Sequence, residues 1–494
     1  MQHLTLKNIH YKYSTSTMPI FEDLNLEFEQ GWTCLVGANG SGKSTLLKLI
    51  SKELKLEEGS IKGNDLTHYC MQSTEEMPQN LEDFMSTYTS KAFRIRDMLN
   101  IDDSWLYSWD TLSFGERKRM QIAVAIFEEP DVLLVDEPTN HLDTKSKNIV
   151  LTTLKSFKGI GLLVSHDREL LDSLSTATII LKNRNIFPFK TTFSKAMDEF
   201  NTNMEFLEKT QSKQYAELKK LKKSIQTQHE KVSQSKKRMS KKDLGQNDKN
   251  AKTKIDLARF TGKDKNDGQQ LAKLKSKQDK LVSSTVTTEK VFELGIEFHD
   301  SKNKKIFPIV IQKNTLELGE SKKLSFADLL IKEHDKIGII GENGAGKSSF
   351  LNHILTVDLK DECLYIPQEI TQEQSKKIFD DINDLVNDKK GEIYTIVRKL
   401  GSDPIKLQDS FIPSPGEVRK LMIAKGLLES PSLIILDEPT NHMDLDSVLS
   451  LEVALSEYNG TMIVISHDKI FLDAIITESW EFKKEGDELY RINY

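Results

Sequence analysis

The chain has 494 residues, 37% hydrophobic and 29% charged, which allows two to four domains at roughly 100–200 residues each. No run approaches the ~18 apolar residues of a membrane span, and the opening MQHLTLKNIHYKY lacks the basic start and apolar middle of a signal peptide. Three cysteines without a CxxC pair, Cys34, Cys70 and Cys363, argue against a disulfide framework or cysteine-based zinc site and for a reduced, cytoplasmic setting.

In chain order, TCLVGANGSGKSTLLKLI passes from a β-branched apolar run through a glycine-rich turn into a helical pattern. DVLLVDE and GLLVSHD are short, nearly continuous apolar runs, as expected of strands buried on both faces of a parallel sheet. The pattern then changes. Met204, Leu207, Gln211, Tyr215, Leu218, Leu221, Ile225, His229 and Val232 recur at three- and four-residue steps, as do Leu271, Leu274, Gln278 and Leu281 further on. With no proline from 201 to 290, this predicts a helical hairpin with a narrow apolar seam and a tip within 236–268. About 40 residues of helix at ~1.5 Å each would run roughly 60 Å.

The remainder repeats the beginning. GANGSGKS (Gly37–Ser44) recurs as GENGAGKS (Gly341–Ser348), DVLLVDEPTNHLD as SLIILDEPTNHMD, and LLVSHD as IVISHD. Asp136 to His166 and Asp437 to His467 are both 30 residues; Ser113 to Asp136 and Ser414 to Asp437 are both 23. Four motifs aligned twice at matched spacing indicate tandem copies of one α/β domain, at 1–200 and 291–494, with the hairpin at 201–290. The net charge of −6 is uneven: 201–290 holds 23 Lys/Arg against 11 Asp/Glu, so the flanking parts together carry −18. A basic middle between acidic ends suits a polyanionic partner.

Each GxxxxGK[ST] follows a strand-like run and precedes a helix, the context the motif requires. Gly37, Gly40 and Gly42, and Gly341, Gly344 and Gly346, let backbone N–H groups close around phosphate oxygens. Lys43 and Lys347 would reach the β/γ-phosphates, and Ser44 and Ser348 would ligate Mg²⁺. Asp136 and Asp437 end apolar runs, where a strand delivers a carboxylate to that metal. Glu137 and Glu438 follow directly and are placed to polarise an attacking water, which points to hydrolysis. His166 and His467 would meet the γ-phosphate. The Ser-His-Asp run is no hydrolase triad, because adjacent side chains on a strand point to opposite faces.

LSFGE (Leu112–Glu116) and PSPGE (Pro413–Glu417) resemble the signature motif of ATP-binding cassette ATPases. With the phosphate loops, Gln72, Gln368, the DEPTNH runs and the SHD residues, they look like two complete cassettes. The resemblance implies that the cassettes close face to face on two ATP molecules. One site would join Lys43, Ser44, Gln72, Asp136, Glu137 and His166 to Ser414 and Gly416, and the other Lys347, Ser348, Gln368, Asp437, Glu438 and His467 to Ser113 and Gly115. Asn39, Thr45, Asn343 and Ser349 would complete the ATP contacts, and Gln72 and Gln368 the metal shell. The second signature has Pro413 where Leu is usual, and Phe114 and Pro415 replace a usual Gly. Tyr13, with Tyr11 as fallback, lies where the family stacks an aromatic on adenine, whereas LELGESKK in the second copy offers none.

Transporter ATPases work with membrane-spanning subunits, and DNA-repair cassettes are interrupted by their coiled coils. Here each phosphate loop lies only about 70 residues from its signature, and no membrane domain or zinc-type cysteines occur. The chain instead resembles the ABC-F family of translation proteins along essentially its whole length. That resemblance implies a monomer with an intramolecular cassette pair, which binds the 70S ribosome at the tRNA exit site with ATP bound. The linker would reach the P-site tRNA and peptidyl-transferase centre in 23S rRNA, with neither DNA nor membrane as partner. Lys236, Lys237, Arg238, Lys241, Lys242 and Arg259 would meet RNA phosphate, and Phe260 would stack on a base or pack within the hairpin. Gln72 and Ser113 are 41 residues apart, too close for the arm that general factors often carry between them, and the 27 residues after His467 leave no C-terminal extension to be expected. The layout resembles the antibiotic-resistance proteins of Gram-positive bacteria, which dislodge drugs from the ribosome; a housekeeping or stress translation role is the alternative.

Overall fold

The computed structural model describes residues 3–14, 16, 18–63, 65–238, 263–283, 306–319, 322–356, 363–402, 404, 407, 414–486 and 488–494, the side chains of 234–238, 263–268 and 283 excepted. Two compact units form: Met1–Ala196 with Phe292–Tyr494, and Met197–Val291. The first unit contains both cassettes.

In the first cassette, β1 (Leu4–Tyr11), β2 (Phe21–Phe28), β3 (Gly31–Gly37), α1 (Lys43–Ile50), β4 (Glu58–Lys62) and β5 (Thr67–Cys70) are followed by α2 (Leu81–Ser86), α3 (Ser90–Leu99) and α4 (Phe114–Phe127). Then come β6 (Val132–Asp136), α5 (Thr144–Lys155), β7 (Ile160–Val164), α6 (Arg168–Leu174), β8 (Ser175–Lys182) and β9 (Asn185–Phe189). Strands pair in the order β5-β6-β7-β3-β8-β9, parallel apart from the β8–β9 hairpin. Every residue of β6 and β7 is buried, as their continuous apolar runs require. A smaller antiparallel sheet, β2-β1-β4, lies beside the phosphate-loop helix, its Ile9, Phe21 and Leu24 in one core with Leu46 and Leu47 of α1.

The second unit holds α7 (Phe193–Arg238, which starts at the end of the first unit) and α8 (Lys263–Ser283). Gln228 Nε2 donates to Gln270 Oε1 at 3.4 Å and Lys277 meets Glu217 at 2.9 Å, so the helices run antiparallel. The shielded positions of α7 include 204, 207, 211, 214, 218, 221, 225, 228 and 232, a strict alternation of three- and four-residue steps. The seam therefore takes Gln214 and Gln228, while Tyr215 and His229 are exposed. The reason is geometric: a 3.5-residue repeat keeps one stripe facing its partner whatever the polarity of its members. Lys236, Lys237 and Arg238 end α7 with their side chains outside the described residues, where Lys241, Lys242, Arg259 and Phe260 also lie.

In the second cassette, β10 (Ile309–Ile311), β11 (Asn314–Leu318), β12 (Lys322–Phe326), β13 (Leu329–Ile331) and β14 (Lys336–Gly341) lead to α9 (Lys347–Thr356) and β15 (Cys363–Ile366). Next are α10 (Gln372–Asn383), α11 (Asn387–Lys399), α12 (Pro415–Leu428), β16 (Leu433–Asp437), α13 (Leu445–Glu457) and β17 (Thr461–Ile465), then α14 (Lys469–Ile475), β18 (Glu478–Lys484) and β19 (Leu489–Asn493). The order β15-β16-β17-β14-β18-β19 repeats that of the first copy. Here β12 pairs in parallel with β19, so β11 and β12 extend one eight-stranded sheet.

Candidate active site

Each phosphate loop turns from the central strand, β3 or β14, into α1 or α9. Gly42 and Gly346 sit at φ +100° and +91°, where only glycine is unstrained. A Cβ on Gly42 would come within 2.7 Å of Ile20 and 2.9 Å of Phe21, and one on Gly346 within 2.7 Å of Leu318. Lys43 and Lys347 are buried. Lys43 Nζ donates to the carbonyls of Gly37 (2.6 Å) and Ala38 (3.0 Å), and Lys347 Nζ to Gly341 (2.7 Å) and Glu342 (3.0 Å). Burial lowers both ammonium pKa values, opposed by the neighbouring carboxylates.

β6 and β16 bring Asp136 and Asp437 to these loops. Ser348 Oγ donates to Asp437 Oδ2 at 2.9 Å. In the first copy Asp136 Oδ2 accepts from Tyr69 Oη at 3.0 Å. Glu137 and Glu438 follow with φ of +46° and +49°, a sparsely populated conformation for glutamate. Their N–H groups donate to Val164 O (2.8 Å) and Ile465 O (2.9 Å) of the next strand, which holds each turn. Both carboxylates are buried, and among the described residues no hydrogen bond reaches either oxygen of Glu137 or Oε1 of Glu438. Burial raises the Glu137 carboxyl, and that of Glu438 to about 7. Buried acceptors that lack donors, beside a cationic glycine-rich loop, fit a site that takes a phosphate and a water. Paired Ser and Asp oxygens fit a hard divalent ion.

His166 Nε2 lies 3.2 Å from Glu137 Oε1. His467 Nε2 instead bonds Asn343 Oδ1 at 3.0 Å, with Glu438 Oε1 at 3.5 Å, and its N–H donates to Glu438 Oε2 at 3.3 Å. Burial first, then the nearby lysines, lowers His467 to about 3 and lowers His166 as well, so both imidazoles are neutral at pH 7. Tyr13 Oη bonds Thr45 Oγ1 at 3.1 Å and its ring meets Tyr11 edge-on at 5.2 Å, which places the aromatic beside the first phosphate loop. Gln72 is exposed and Gln368 half-buried.

The signature serines cap α4 and α12 in capping boxes with Glu116 and Glu417. No hydrogen bond joins Ser113 or Ser414 to the opposite phosphate loop among the described residues; Pro413 lies outside them. The phosphate loops instead touch the end of DEPTNH[LM]D in the opposite cassette. Asn39 N donates to Asp444 Oδ2 (2.9 Å), Asn39 Nδ2 to His442 O (3.2 Å), and Asn343 Nδ2 to His141 O (3.2 Å). The His141 and His442 rings pack at 5.3 Å. Signature glycines sit directly behind: a Cβ on Gly416 would lie 2.4 Å from His442 O, and one on Gly115 2.8 Å from Leu142. A cavity of about 60 Å³ at this junction is lined by His141, Lys147, Asn343, Gln368, Glu438 and His467 among others.

The ABC transporter family model matches residues 21–140 and 324–441, once in each copy. The ribosome protection protein VmlR of Bacillus subtilis is 29% identical over 98% of this chain and 87% of its own length. The chain is a tandem ATP-binding cassette ATPase. The ATP-binding protein Uup of Buchnera aphidicola is 28% identical over 98% of this chain and 81% of its own length. An RNase-L inhibitor structure superposes with a TM-score of 0.61 at 20% identity, over 98% of this chain and 90% of that one, a likeness of fold. No helix among the described residues is long and apolar enough to cross a membrane.

Sequence reasoning missed two buried cations behind the signatures. Lys118 Nζ donates to Met71 O (2.5 Å), Asp136 O (3.3 Å) and Gln121 Oε1 (3.0 Å). Its counterpart Arg419 donates to the carbonyls of Glu438 (2.5 Å), Asn441 (3.3 Å), Pro367 (3.2 Å) and Gln368 (2.6 Å). Each cation ties the signature helix to the loops that carry the glutamine and the strand-end carboxylates. Burial lowers Lys118 to about 8 and Arg419 to about 10. The one available signal was Lys and Arg at the fifth position after each signature serine.

Proposed function

We propose that the two cassettes bind ATP and Mg²⁺ in a closed form that engages the 70S ribosome in the cytoplasm, and that hydrolysis releases it. In this reading Ser44, Gln72 and Asp136, and Ser348, Gln368 and Asp437, hold Mg²⁺, which neutralises phosphate charge when bound. The phosphate loops, Gly37–Thr45 and Gly341–Ser349, cradle the triphosphate, with the signature serines and glycines completing it from the opposite cassette. Glu137 and Glu438 orient the water and accept its proton, His166 and His467 donate toward the γ-phosphate, and Tyr13 stacks on adenine. The domain division follows as cassette, basic hairpin linker and cassette at 1–200, 201–290 and 291–494.

The observation that carries this reading is end-to-end similarity to a protein named for ribosome protection, in a chain whose cassettes already meet through reciprocal phosphate-loop contacts. The basic linker, with its tip at 236–268 toward P-site tRNA and 23S rRNA, supplies a salt-sensitive attraction for RNA phosphate. The resulting activity is resistance to ribosome-targeting antibiotics by dislodging the drug. Expression in a susceptible bacterium is expected to raise the inhibitory concentration of one or more of lincosamides, pleuromutilins, streptogramins A, phenicols and macrolides, and deletion of 241–264 to abolish that rise while ATP hydrolysis persists. Protection that survives the deletion would remove the tip from the mechanism. Unchanged susceptibility with the full chain would favour the housekeeping or stress translation role.

A further inference from the structure

The repeat places Lys147 where the second copy has Val448, four residues after Asp143 and Asp444 respectively. Lys147 lies on α5 of the first cassette, yet its Nζ donates across the junction to the backbone carbonyl of His467 at 3.2 Å. Asp167 of its own cassette holds the same ammonium at 2.9 Å and is itself fixed as the cap of α6. Beside it Arg168 reaches Glu452 Oε2 of the second cassette at 2.7 Å and Asp468 Oδ2 at 3.6 Å. Lys182 meets Asp446 at 3.7 Å. In the Arg168 and Lys182 ion pairs, which cross the junction, the cation belongs to the first cassette and the anion to the second.

The carbonyl that Lys147 holds is the backbone of the turn that bears His467. That turn donates its N–H to Glu438 and its imidazole to Asn343 of the second phosphate loop. At the first site the matching position is Val448, whose side chain has no donor. His166 there faces Glu137 directly at 3.2 Å.

We propose that Lys147 is a positioning residue that acts across the interface on one ATP site only, the site built on Lys347, Glu438 and His467. When the cassettes close, Lys147 fixes the His467 turn and so sets the orientation of Glu438 toward its water. The first site lacks this brace. The inference rests on the assignment of Glu137 and Glu438 as the hydrolytic carboxylates.

The test is rapid-quench ADP formation by the full-length chain with saturating ATP and Mg²⁺. In the otherwise native chain, Lys147→Val is expected to halve the amplitude of the fast phase, because one of two sites is slowed. In a Glu137→Gln background, where hydrolysis falls to the second site, Lys147→Val should slow the single turnover about tenfold, the scale of one charge-assisted hydrogen bond. Lys147→Arg should restore most of the rate. In a Glu438→Gln background the same substitution should leave the rate unchanged, which also shows that the variant folds. An equal loss in both backgrounds, or full amplitude in the native one, would overturn the proposal. Fast hydrolysis by the Glu137→Gln/Glu438→Gln chain would instead overturn the carboxylate assignment beneath it.

Discussion

The two cassettes share a strand order and a motif spacing, yet the side chains around their equivalent carboxylates differ. Asp136 is met by a tyrosine hydroxyl and Asp437 by the phosphate-loop serine. Lys118 braces the first signature helix through two carbonyls and a side-chain amide, whereas Arg419 braces the second through four carbonyls. His166 faces Glu137, whereas His467 is tied to Asn343 and its carbonyl is held by Lys147 from the other cassette. Duplication thus retained the backbone that presents the chemistry, while the residues that brace it and reach between copies diverged. Two sites of one chain need not turn over alike.

That contrast can be sharpened by experiment. Replacing both Glu137 and Glu438 by Gln is expected to cut ATP hydrolysis by at least about a hundredfold, the scale of a general base, in a phosphate-release assay. Arg419→Met should lower stability by about 3 kcal/mol, because four carbonyls lose the guanidinium that bridges them, and Lys118→Met by about 2 kcal/mol. Denaturant midpoints for the two variants measure the difference, and equal losses would erase this asymmetry. Gly416→Ala drives a methyl against the rigid His442 carbonyl and should cost about 2 kcal/mol, while Gly115→Ala meets the mobile end of Leu142 and should cost under about 1 kcal/mol. Thermal shifts would rank them. The smallest effect is expected for Tyr13→Ala, a several-fold weaker affinity at the first site alone, about 1 kcal/mol of ring contact, read as one altered phase in titration with a fluorescent ATP analogue.

Much of this was legible in the sequence. The motif pairs located both phosphate loops, and continuous apolar runs ending in Asp136 and Asp437 identified β6 and β16 as buried strands. What escaped depended on tertiary placement. Lys118 within FGERK reads as solvent charge, because nothing local reveals that α4 is enclosed on that side. The linker seam was misread at two positions, since Tyr215 and His229 outrank Gln214 and Gln228 in hydrophobicity while helix geometry selects the glutamines. The reach of Lys147 to the His467 turn has no local signature at all. Only the comparison of copies, lysine in one and valine in the other, distinguishes the position.

The most direct test of the functional account is whether the Glu137→Gln/Glu438→Gln chain pellets with bacterial 70S ribosomes through a sucrose cushion. ATP-dependent, stoichiometric pelleting is the expected result. Absence of pelleting with ATP at low salt, where attraction to RNA phosphate is strongest, or equal pelleting without nucleotide, would contradict an ATP-closed ribosome-binding form.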